Sequence, residues 1–245
     1  MAAQPSSGSA QSSSTQQASV PAQSGPPETR PRPTEAQQGP VEAEATPEVS
    51  GPLAGDPLSL GLPSFIIGSV ALGMVLVGFV SPLGAGASLP ILLAATGAGL
   101  LISTLWAMGL GQSAVALVLG VFAGFWLSYA SLLLGLFHNW FGITPTDAKA
   151  TQELFLTAWI VIITMLTVAT LRLALAFTVV LFLVDVALIF VLVGVANTST
   201  NWLKAGGAVA FLFATIGIYI FFGAASVATG GKALPLGRPV LRARA

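Results

Sequence analysis

The chain has no cysteine, a single histidine and very little charge. Without cysteine there is no disulfide, no thiolate metal site and no thiol nucleophile. With His138 alone, a histidine-ligated metal and a Ser-His-Asp triad both lack their parts. Charged residues make up 7% of the chain, against about 25% in ordinary soluble domains. Lys plus Arg and Asp plus Glu stand at nine each, so the basic surplus that nucleic-acid binding needs is missing. No nucleophile, base or metal ligands converge, so neither an enzyme nor a cofactor is expected. What fills the chain is apolar: 54% of residues are hydrophobic and mean hydropathy is +0.86. A shortage of charge of both signs, at this hydropathy, marks a chain solvated by lipid.

Residues 1–54 are the exception. They are built from Ser, Gln, Ala, Pro and Gly, then become rich in Pro and Glu. Such a stretch buries too little apolar surface to offset the entropy of ordering, and a disordered polar tail is expected. It lacks the basic start and apolar run of a signal peptide. Glu28, Glu35, Glu42, Glu44 and Glu48 outweigh Arg30 and Arg32. A regulatory or partner-binding tail and a plain leader are both open readings.

A membrane span needs about 20 apolar residues. Six runs qualify: 60–80, 86–108, 112–137, 153–171, 173–195 and 205–228. They predict an all-α integral membrane protein with a six-helix domain over 55–230 and a short basic tail over 231–245. The links are short, so consecutive spans run antiparallel. Between the fourth and fifth runs only Arg172 marks a turn, and one long kinked helix is the competing reading. An even span number puts both ends on one side. With the ends inside, Arg172, Lys232, Arg238, Arg242 and Arg244 face Lys149 and Lys204 across the bilayer, which favours cytoplasmic termini. A plasma-membrane, multi-pass location follows, with Trp140, Phe141 and Trp202 as interfacial anchors in outer loops.

Small residues recur along the runs: Ser64, Gly68, Ser69 and Gly73, then Gly97 and Gly99, then Gly206, Gly207, Ala210 and Ala214. Lipid offers no hydrophobic drive between helices, so close backbone approach at small side chains is the expected contact. Asp185 lies deep in the fifth run, where an acid costs about 2.5–3.5 kcal/mol on insertion scales. It must face the bundle interior or water, with Thr178 on its own helix face. It reads either as a titrating group for proton coupling or as a hydrogen-bonded anchor between helices. Thr164, Thr167 and Thr170 repeat along the fourth run, Thr215 and Tyr219 along the sixth, and Tyr129 on the third. Each alone reads as structural; together they are candidates to line a narrow path. No Lys or Arg lies at mid-membrane to hold an anion. His138 reads as a solvated interfacial side chain, with pH sensing as the sharper alternative.

The stretch DPLSLGLPSF, 56–65, carries Pro57, Gly61 and Pro63 at the mouth of the first run. It resembles the N-P-A-P-L-G-L signature of the acetate uptake transporter family, the GPR1/FUN34/YaaH group. It keeps Pro57, Leu60, Gly61 and Leu62 and departs at Asp56 (Asn in the family) and Ser59 (Pro). GFWLSYA at 124–130 is similar to the family's G-x-FWL segment, Gly111-Gln112 to its Gly-Asn pair, and ALPLGRP at 233–239 to its closing L-P-x-G. The resemblance implies six helices around a central pore in a urea-channel-like layout, one pore per protomer of a homohexamer. It implies uptake of acetate, sometimes succinate, with protons. By position it carries the pore constriction to Phe65, Phe122 (Tyr in the family) and Val184 (Leu). It also puts Ala224 where some bacterial members have Glu. Pro57, Leu60 and Gly61 then shape the mouth, where free backbone N–H groups are expected to meet a carboxylate. The rival readings are a channel for neutral solutes such as acetic acid, urea or ammonia, a membrane enzyme, and a non-transporting scaffold or sensor.

Overall fold

The computed structural model describes residues 54–241. The polar tail expected over 1–54 lies, except for Ala54, outside the described residues, as do Arg242 and Arg244. Among the described residues, six helices are long and apolar enough to cross a membrane. They are α1 (Leu58–Leu76), α2 (Ala98–Gly109) with the segment leading into it, α3 (Ser113–His138), α4 (Ala148–Ala169), α5 (Leu175–Ala196) and α6 (Thr200–Ala228). The chain is an all-α, multi-pass membrane protein.

The turns follow local chemistry. Gly111 takes φ +70° before α3, and Thr198 takes φ +51° before α6. Arg172 closes a short 3-10 turn (Thr170–Arg172), and Leu173 is extended. The fourth and fifth runs are therefore two helices and not one kinked helix. Helix α4 starts five residues before the expected 153, because Lys149 and Gln152 carry it into the polar interface. The Lys149 ammonium donates to the Ala196 carbonyl at the C-terminal end of α5, where a cation complements the helix dipole.

The second span is irregular. It opens as a 3-10 segment (Pro82–Ser88), passes through a π-helix (Ile91–Gly97) and only then becomes α2. The π register turns Leu92, Thr96 and Gly97 inward. Helix α1 sits between this span and α6. On one side Gly68 lies flush against Thr96 and Gly99 against Ser64, closer than any Cβ would allow. On the other side a Cβ on Gly207 would come 3.0 Å from the Gly73 carbonyl oxygen, a backbone atom that cannot step aside. Small residues thus set helix spacing through backbone approach.

Residues beyond α6 form an extended strap. Through Leu241 the expected tail is laid on the bundle: Ala176 N–H donates to the Leu236 carbonyl (2.9 Å), and Leu241 N–H to the Leu171 carbonyl (2.8 Å). The Tyr219 hydroxyl donates to the Pro235 carbonyl (3.0 Å) and Ser226 Oγ to the Lys232 carbonyl (2.9 Å). Gly237, at φ +81°, lies against the Leu175 side chain.

Candidate functional site

Three cavities follow one another along the bundle. The first is a vestibule of about 540 Å³ at the end that holds the start of α1 and the strap. Asp56, Ser59, Trp106, Ala224, Leu234 and Leu236 are among its lining residues. Leu58, Phe177 and Ile220 are shared with the next cavity, an inner chamber of about 40 Å³. Beyond lies an outer chamber of about 30 Å³, lined by Phe65, Leu72, Phe122, Trp126, Val184 and Phe213 among others. Phe65 and Phe122 line both chambers and form the wall between them. Their ring centroids are 4.8 Å apart, and Phe213 closes on Phe65 at 5.7 Å. All three rings are buried.

The chambers are apolar. Every residue lining them is aliphatic, aromatic or glycine. Trp126 is the one with a polar atom, and its indole N–H is buried without an acceptor among the described residues. Gly61 lines the inner chamber, and a Cβ there would meet Leu119 and Ser103 Oγ at 2.8 Å. Val184 lines the outer chamber. The fold thus brings Phe65, Phe122, Gly61 and Val184 to one path. It adds Phe213, whose place opposite Phe65 is visible only once α6 packs on α1.

The remaining candidates lie elsewhere. Pro57 is buried, and its carbonyl takes hydrogen bonds from Ser103 Oγ and from the Leu60 and Gly61 N–H groups. Leu60 lines none of the three cavities. The free N–H groups expected at this helix start are not free. Leu58 N–H donates to Asp56 Oδ1 (2.9 Å), and Ser59 N–H to the Asp56 carbonyl (2.9 Å). A carboxylate would have to displace the helix's own cap.

Asp185 is buried between α4 and α5, where Thr167 Oγ1 donates to one carboxyl oxygen (2.6 Å) and Thr164 Oγ1 to the other (3.1 Å). Thr178 Oγ1 donates to the Thr170 carbonyl (2.7 Å), which ties α5 to the 3-10 turn that follows α4. None of Asp185, Thr164, Thr167 and Thr178 lines any of the three cavities. Tyr129 packs in an aromatic cluster with Phe125, Trp126 and Phe155. Thr215 is exposed on the bundle's outer surface and donates to its own helix at Phe211. Tyr219 holds the strap. His138 stacks near Trp140 at 5.5 Å and bonds the Leu134 carbonyl, at the exposed end of α3.

The arrangement is a wide mouth, two small apolar chambers and an aromatic wall between them. It suits a small solute that sheds its water and has little charge to protect. Among solved structures, the fold is similar to that of the bacterial acetate channel SatP. That likeness has a TM-score of 0.66 at 21% identity and covers 75% of this chain and 99% of that one. The curated proteins compared by sequence give no match. The model of the GPR1/FUN34/yaaH family matches residues 38–233, and the chain belongs to that family.

Proposed function

We propose that this protein carries acetate and related short carboxylates across the membrane, each with a proton, past the wall made by Phe65 and Phe122. The observation that carries the reading is the chemistry of the two chambers, whose lining offers a bare carboxylate no cation and, in the Trp126 indole N–H, a single side-chain donor. Stripping an ion of water there is far costlier than stripping its neutral acid. The solute therefore crosses the wall protonated, and coupling needs no titrating side chain at the wall. Acetate as the substrate is supported by family membership and by the likeness to SatP, an acetate channel; succinate is the larger candidate. The charge bias of the loops supports a plasma-membrane orientation with both termini cytoplasmic, so the vestibule faces the cytoplasm. The family resemblance supports a homohexamer with a path in each protomer.

Asp185 is the sequence's candidate for the proton. Its two threonine donors support the anchoring alternative, and Asp185→Asn, which keeps an acceptor for them, is expected to retain the response to a proton gradient. Loss of that response with the fold intact would return the proton to Asp185.

The same apolar walls favour a second reading, a channel for neutral solutes. Labelled acetate uptake into proteoliposomes separates the two. The proposal expects uptake above protein-free vesicles that saturates, rises with an inward proton gradient and is competed by other short carboxylates. Uptake that saturates poorly and is matched by urea supports the neutral channel. No uptake of either solute above the protein-free level contradicts both.

A further inference from the structure

The vestibule holds a feature that the apolar chambers do not explain. Among the described residues that line it, Asp56 is the only ionisable one. Asp56 is exposed, and one of its oxygens caps α1 through the Leu58 N–H. The strap and Trp106 form the facing walls. Lys232 and Arg238 lie on or beside the strap and Arg172 at the turn before α5, and none of the three is among the lining residues. A solute in the vestibule thus meets a negative charge, with no cation among the described lining residues to offset it.

The geometry points to Asp56 as a charge filter: it thins out anions in the vestibule, a dianion more than a monoanion, and leaves neutral acids untouched. A negative potential lowers the local concentration of an anion and raises that of protons by the same factor. The concentration of a neutral monocarboxylic acid is therefore unchanged. A dicarboxylate that keeps one carboxyl ionised is depleted once, and one that keeps both is depleted twice over. At separations of about 4–8 Å in water-like surroundings, each unit charge is depleted about two- to sixfold, and less so as salt shortens the screening length.

The cap makes the test clean. Asn and Ser serve at a helix start as well as Asp, so Asp56→Asn and Asp56→Ser remove charge and keep the helix end. Trp106 gives a readout that does not depend on transport. It lines the same vestibule, and its ring lies against Gly55, beside Asp56. Fluorescence of the full chain in bilayers is quenched with iodide, caesium or acrylamide, and the same series on Trp106→Phe isolates the Trp106 signal. At low salt, Asp56→Asn is expected to raise iodide quenching of that signal by about two- to sixfold, lower caesium quenching, and leave acrylamide quenching alone. Equal iodide quenching in the two proteins overturns the filter.

The substrate consequence rests on the proposed function and is read separately. With both solutes crossing the wall as neutral acids, which the filter leaves alone, the ratio of succinate to acetate flux from the vestibule side should be the same in Asp56→Asn, Asp56→Ser and the unmodified protein. A ratio that rises in both variants would mean that succinate crosses still ionised, against the proposed function. Absence of acetate flux in the unmodified protein would refute the transport reading, while the quenching series still decides the filter.

Discussion

Phe122 stands in contact with Phe65 and separates two chambers that are otherwise continuous in character. Shortening it to alanine removes most of the wall. Phe122→Ala is expected to raise acetate uptake severalfold and to admit longer carboxylates, as read by a competition panel in proteoliposomes; unchanged size selection would place the constriction elsewhere. Asp185 supports the opposite kind of prediction. Its oxygens accept from Thr164 and Thr167 across the α4–α5 contact, and interhelical bonds of this sort in membranes average about 0.6 kcal/mol, reaching about 1.7. Thr164→Val with Thr167→Val leaves a buried acid unpartnered and should lower thermal stability more than the sum of the single variants. Additive single effects would mean the acid finds another partner. Sequence alone puts Asp185 deep in a span. It does not choose between path and helix contact, because the partners are 18 and 21 residues away and only helix rotation decides which neighbour the acid meets.

The six spans are legible as apolar runs, because lipid demands a long unbroken stretch for each crossing. Their ends are less so: polar residues such as Lys149 and Gln152 extend α4 beyond its hydropathy. The 3-10 and π opening of the second span leaves no mark in composition, since the same Leu, Ala and Gly residues serve either register. The strap reads in sequence as a tail for a similar reason. Its bonds to the bundle come mostly from backbone carbonyls, which carry no sequence signal. The clearest exception is Tyr219, whose hydroxyl holds Pro235. Tyr219→Phe is expected to speed hydrogen exchange at the Ala176 and Leu241 amides, which the strap protects, while leaving mid-helix amides unchanged; unaltered exchange at both would show that the strap stands without Tyr219. Helix spacing gives a further test. Gly207→Ala places a methyl against the α1 backbone at Gly73, and overpacking of this kind costs about 1–3 kcal/mol, read as a lower unfolding temperature in detergent.

At the scale of the whole molecule, the ionisable groups of the described residues are kept off the chambers. The vestibule carries Asp56, the α4–α5 contact holds Asp185 behind two hydroxyls, and the chambers between are lined without a charged side chain. On the proposed function, such a path moves solutes without moving net charge. External acid should therefore drive uptake: as pH falls, the neutral fraction of acetic acid grows, and influx grows with it. The most direct measurement records luminal pH and membrane current together while an acetate gradient is imposed on proteoliposomes of the full chain. The account predicts luminal acidification in step with acetate entry, above the protein-free rate and without current. A protein-dependent current carried by acetate, with no acidification, would contradict it.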